Sequence, residues 1–110
     1  RYWKDSRLEL FGQRVQRRVL VIGAGRSGDA LVRDLRRDAE YRVVGFIDDA
    51  PQLRGARVQG VPVLGSMAEL VDLARASSAE MLLIAVPSAS VAQMRVIVSA
   101  CERTGLPFRT

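Results

Sequence analysis

The residues of this chain best suited to chemistry are three glycines. Gly23, Gly25 and Gly28 keep the spacing Gly-x-Gly-x-x-Gly within Arg18-Val-Leu-Val-Ile-Gly-Ala-Gly-Arg-Ser-Gly28. An apolar run that ends in such a turn and then opens a helix aims backbone N–H groups and the positive end of a helix dipole at a pyrophosphate. In that arrangement Gly23 permits the tight turn, Gly25 lets phosphate oxygens approach the backbone, and Gly28 lets helix and strand pack closely. Arg26 and Ser27 open the helix, where Arg26 could meet phosphate charge. Asp48 stands 20 residues beyond Gly28, at the end of the next apolar run. An acid there accepts hydrogen bonds from adenosine ribose hydroxyls and repels a 2′-phosphate, which favours NAD(H) over NADP(H). Asp49 is the secondary candidate for that contact; read without a ligand, Asp48-Asp49-Ala-Pro is simply a turn. Pro87 and Ser88 fall in the loop after a later apolar run, where they would cover the second half of a dinucleotide.

The residues that are missing narrow the chemistry further. The chain has no histidine, one lysine (Lys4), one cysteine (Cys101) and two tyrosines, Tyr2 and Tyr41. Without a Tyr-x-x-x-Lys or a histidine there is no proton-transfer pair for oxidising or dehydrating a sugar. No Cys/His cluster can be built, so no metal site is expected. Cys101 lies among Ile97, Val98 and Ala100 and reads as a buried, inert thiol. The sum is a nucleotide cradle without catalytic residues.

Composition agrees with a single soluble α/β domain. The 110 residues are 48% hydrophobic and 26% charged, ordinary for one globular core. No apolar run approaches the roughly 20 residues that span a bilayer. The chain opens on Arg1 rather than Met, so it is expected to be a piece of a longer protein. The net charge of +5 is carried almost wholly by arginine. The arginines are spread along the chain and lack an aromatic platform, so no nucleic-acid partner is expected.

The elements that must position these residues follow from periodicity. Arg1–Gln16 is a polar lead-in, and residues 17–110 form the domain. Strands are predicted at Arg18–Gly23, Tyr41–Asp48, Val61–Leu64, Glu80–Val86 and Leu106–Arg109, with Gln52–Gly60 as loop. A helix over Ser27–Asp38 presents Ala30, Leu31, Leu35 and Ala39 inward. Two capping boxes, Ser66-Met-Ala-Glu69 and Ser90-Val-Ala-Gln93, open two more helices. The first runs to Ala76. The second buries Val91, Met94, Ile97, Val98 and Cys101 and ends at Gly105. Helices between strands imply a doubly wound parallel sheet of strand order 3-2-1-4-5, a Rossmann-like α/β fold. Its switch point lies between the first and fourth strands, where the glycine turn and the Val86–Ser90 loop meet.

Four blocks in order carry a family resemblance: Arg18–Gly28, Tyr41-Arg-Val-Val-Gly-Phe-Ile-Asp-Asp49, Gly60-Val-Pro-Val-Leu-Gly65 and Ala85-Val-Pro-Ser-Ala-Ser90. The chain resembles the N-terminal, CoA-binding-like Rossmann domain of membrane-anchored nucleotide-sugar 4,6-dehydratases and epimerases of bacterial polysaccharide biosynthesis. The resemblance implies a non-catalytic NAD(H)-type module on the cytoplasmic side of the inner membrane. It further implies that Arg1–Gln16 leaves the membrane and that the catalytic domain lies beyond Thr110. Arg26 departs from the acid or small residue such domains often carry after the second glycine. The expected partners are a dinucleotide or nucleotide-sugar, the catalytic domain of the same parent chain and a second copy in a homodimer. A similar module precedes some polysaccharide-initiating sugar-phosphate transferases, where CoA or a UDP-sugar would be the ligand and regulation or dimerisation the role. A redox-sensing regulator would need a winged-helix segment, which this sequence lacks.

Overall fold

The computed structural model describes residues 16–110. The expected lead-in lies outside them, except for Gln16. In chain order the elements are β1 (Arg17–Ile22), α1 (Arg26–Leu35), β2 (Tyr41–Ile47), β3 (Arg57–Val58), β4 (Val61–Gly65), α2 (Leu70–Ala76), β5 (Met81–Ile84), α3 (Val91–Thr104) and β6 (Phe108–Arg109). Single 3-10 turns occupy Pro51–Leu53 and Met67–Glu69.

One sheet of order β3-β4-β2-β1-β5-β6 results. β1 pairs in parallel with β2 and β5, β2 with β4, and β5 with β6; β3 alone is antiparallel, against β4. Among the parallel strands this is the predicted 3-2-1-4-5 order. β1 is the centre because its apolar run has two faces to bury: Val19, Leu20 and Val21 are fully enclosed. Val19 and Val21 pack with Val32 of α1, Phe46 and Val63. Leu20 and Ile22 pack with Leu70 and Ala74 of α2 and Ala100 and Cys101 of α3. α1 therefore covers one face and α2 with α3 the other. Burial pushes the Cys101 thiol up to about 11, with Glu102 adding to the shift, so the thiol is protonated and inert.

Three predictions need correction. The stretch Gln52–Gly60 is not all loop: Arg57–Val58 pairs with Val61–Pro62. The two residues between these strands, Gln59 (φ 54°) and Gly60 (φ 77°), both have positive φ, as a two-residue hairpin requires. Second, α1 ends at Leu35, and Ala30 and Ala39 are exposed. Its inward stripe is Gly28, Leu31, Val32 and Leu35, because the close approach at Gly28 fixes which side of the helix meets the sheet. Third, Val91 is 73% exposed. It is the first residue of α3 and stands clear of the sheet, while Met94, Ile97 and Val98 pack against the core as predicted.

Both predicted helix starts are present. Ser90 Oγ accepts from Gln93 N–H at 3.1 Å and Gln93 Oε1 accepts from Ser90 N–H at 2.8 Å, opening α3. At the other, Glu69 Oε1 accepts from the Ser66 N–H at 3.0 Å and from its hydroxyl at 3.2 Å. One 3-10 turn intervenes there before α2 begins.

Candidate nucleotide-binding site

The site is built where the parallel strands end. β1 stops at Ile22, and Gly23 turns the chain with φ 103°, a backbone region that favours glycine. A Cβ there would also sit 2.5 Å from the Ala85 carbonyl oxygen after β5. The Gly23 N–H donates to the Ile47 carbonyl at 2.8 Å, which ties the turn to the end of β2. At Gly28 a Cβ would overlap the Gly23 carbonyl and lie 3.1 Å from Phe46 Cε1, so the first turn of α1 rests directly on the strand exit. Gly25 differs from both, since a Cβ on it would meet nothing within 4 Å. It is the N-cap of α1, and no side chain caps the helix, the arrangement that leaves helix amides for an anion.

Asp48 reaches this turn from the neighbouring strand. Its Oδ2 accepts from the Ala24 N–H at 2.8 Å, and its Oδ1 accepts from the Ala50 N–H at 2.9 Å. A carboxylate has about four lone-pair sites, so each oxygen keeps capacity for a further donor. Asp48 is therefore both the brace that fixes the glycine turn and an acceptor held at the cleft. Asp49 is engaged differently. Its Oδ1 accepts from the Met67 N–H at 2.8 Å, which fixes the start of the α2 region. Arg26 is exposed in the first turn of α1 beside half-buried Ser27, and neither ion pair among the described residues includes Arg26. The acid of that turn, Asp29, pairs with Arg33 at 3.1 Å and accepts a hydrogen bond from Gln59 Nε2 at 2.8 Å. It does not oppose an anion at the helix start.

Between these groups lies a cavity of about 400 Å³. Gly23, Asp48 and Asp49 form one side; Ser88, Gln93 and Val96 form the other. Ile22, Ile47, Val86 and Ile97 make much of the wall apolar, the surface a flat heterocycle prefers. Of the predicted residues, Gly23, Asp48, Asp49 and Ser88 line this cavity, while Gly25, Arg26, Ser27 and Gly28 form the adjoining helix start. Pro87 is exposed beside Ser88 and is not in the lining. Met67, Gln93, Val96 and Ile97 were not predicted. Their signal was the pair of capping boxes, because helices that start after parallel strands begin at the same edge of the sheet.

Residues 6–110 match the CoA-binding domain family. The chain belongs to that family. The probable polysaccharide biosynthesis protein EpsC of Bacillus subtilis is 31% identical over 94 residues, covering 84% of this chain and 16% of EpsC. The chain thus spans a small part of that relative's length. The structure of UDP-D-quinovosamine 4-dehydrogenase from Vibrio fischeri superposes with a TM-score of 0.79 at 30% identity, covering 86% of this chain and 76% of that one. RSP, a Rex-family repressor solved with β-NADH, shares the fold with a TM-score of 0.70 at 17% identity over 96% of this chain and 50% of its own. The chain is thus a nucleotide-binding Rossmann-like domain related to a protein of polysaccharide biosynthesis and to a UDP-sugar dehydrogenase.

Proposed function

We propose that this domain binds NAD(H) and is a non-catalytic part of a membrane-bound nucleotide-sugar dehydratase or epimerase of polysaccharide biosynthesis. The observation that carries the reading is the conjunction at the strand ends: an uncapped helix start opened by Gly25, with Asp48 fixed beside it over an apolar cavity. The α1 amides would hold the pyrophosphate, Asp48 the adenosine ribose and the apolar wall the adenine. Arg26 and Ser27 would flank the phosphates, and Ser88 would meet the far side of the ligand. Bound NAD(H) would supply hydride chemistry elsewhere; here the chain's own groups bind and orient. The two acids in the lining are engaged by backbone amides, and the chain has no histidine, which supports a binding role.

CoA is the alternative that the family's description raises. Its ribose carries a 3′-phosphate, and among the described residues the cavity lining offers two carboxylates and no arginine or lysine to receive it. The remaining parts of the proposal rest on the resemblance carried by the four sequence blocks: a catalytic domain in the same parent chain, a homodimer, and a place at the cytoplasmic face of the inner membrane. Calorimetric titration with NAD⁺, NADH, NADP⁺, CoA and UDP-sugars tests the ligand. NAD(H) is expected to bind, and Asp48→Ala to weaken it by about tenfold or more, the value of a hydrogen bond to a charged group. Binding of CoA or a UDP-sugar with no response to NAD(H) would overturn the reading.

A further inference from the structure

Gln93 has a second capacity that its place in a capping box conceals. A side-chain amide carries an acceptor at Oε1 and two N–H donors at Nε2. The box that opens α3 uses the acceptor alone: Oε1 takes the Ser90 N–H at 2.8 Å, while the Gln93 backbone N–H donates to Ser90 Oγ at 3.1 Å. A backbone N–H can be met only by the oxygen, so this bond decides which arm of the amide is which. It also holds the side chain against the first turn of α3. Nε2 makes no hydrogen bond among the described residues, and Gln93 lines the nucleotide cleft.

The polar side chains that share the lining with it are Asp48, Asp49 and Ser88. The two carboxylates only accept, and the Ser88 hydroxyl can act either way. Gln93 therefore adds what the aspartates lack, a pair of donors whose companion acceptor is already engaged. Val96 and Ile97 follow it at three and four residues, the spacing that sets side chains on one face of a helix, and both line the same cleft. A donor beside an apolar wall suits a flat base with acceptor nitrogens in its ring. Adenine has three, N1, N3 and N7, and it is the base that NAD(H) and CoA share. We infer that Gln93 Nε2 donates to a ring nitrogen of adenine and so fixes the base in the cleft, in addition to capping α3. The inference rests on the assignment of this cleft to a nucleotide, and holds whether NAD(H) or CoA carries the adenine.

Calorimetric titration of ADP into the wild type, Gln93→Glu and Gln93→Leu tests it, with a thermal melt of each. Glutamate keeps an acceptor for the Ser90 N–H, and hence the capping box, but has no donor. Leucine removes both and adds no charge. Gln93→Leu should melt below the wild type and Gln93→Glu close to it. Both should bind ADP about fivefold or more weakly, the value of one hydrogen bond. Loss in Gln93→Leu alone would reduce Gln93 to a helix cap, loss in Gln93→Glu alone would be charge repulsion, and loss in neither would show no contact. Each of these overturns the inference. The 1-, 3- and 7-deaza analogues of ADP locate the bond. One of them should bind the wild type as weakly as ADP binds Gln93→Leu, and lose nothing further in that variant. Equal further loss for all three would place Gln93 on another part of the ligand and overturn the contact with the base. A wild type that binds none of ADP, NADH and CoA would overturn the nucleotide assignment of the cleft and the inference with it.

Discussion

The three motif glycines do different physical work, and substitutions separate them. Gly28 has no room for a methyl group, because the obstacle is the Gly23 carbonyl and not a movable side chain. Gly28→Ala should therefore cost about 3 kcal/mol of unfolding free energy, the upper part of the range for overpacking. Urea denaturation measures it, and a loss under about 0.5 kcal/mol, the scale of a surface substitution, would contradict the packing described. The turn at Gly23 and the close packing at Gly28 were legible from spacing alone, because each is a backbone property. The fates of the two aspartates were only half legible. Position marked Asp48 for the cleft, but nothing in the sequence says that its carboxylate also binds the Ala24 amide. Nor could it say that Asp49 spends its carboxylate on Met67, since both bonds depend on how the loops after β1, β2 and β4 come together.

At the scale of elements, the connection from β2 to β4 is where sequence and structure part most. A parallel crossover leads one to expect a helix or a plain loop there, and the chain instead folds a short hairpin. Gln59-Gly60 is a less common two-residue turn than Asn-Gly, so the signal was faint. The hairpin is held at both ends by side chains: Gln59 to Asp29 of α1, and Arg54 to Glu69 before α2. The second tie has a pH signature. The Arg54 guanidinium, bound through two nitrogens at 3.0 Å each, and the Ser66 amide hold the Glu69 carboxyl down to about 2. Because the folded value is the lower one, the contribution to stability is complete above the ordinary value of 4.5 and is lost as pH falls through about 2. Glu69→Gln should remove that dependence. Melting temperatures recorded across this window should fall more steeply for the wild type than for the variant, and added salt should narrow the gap because the pair is exposed. Parallel curves would contradict it.

For the whole molecule, strand order and switch point were readable because alternating helices and apolar strands leave few right-handed solutions. The cavity was not readable in full. Val96 looks misplaced on α3, at 66% exposure, until the α3–sheet packing shows it lining the cleft with Gln93 and Ile97. Beside that cleft, at the start of α1, Gly25 is an open backbone position. A valine there meets no protein atom near its Cβ and should leave stability within about 1 kcal/mol of wild type, the cost of a poorer N-cap. It would stand where phosphate oxygens must approach. The most direct test is thus calorimetric titration of NADH into the wild type and Gly25→Val, with folding of both checked by thermal melting. A folded variant whose NADH affinity is at least about tenfold weaker is expected, a cost of about 1.4 kcal/mol or more. A folded variant that binds NADH as well as the wild type would place the nucleotide elsewhere and refute the assignment of this cleft.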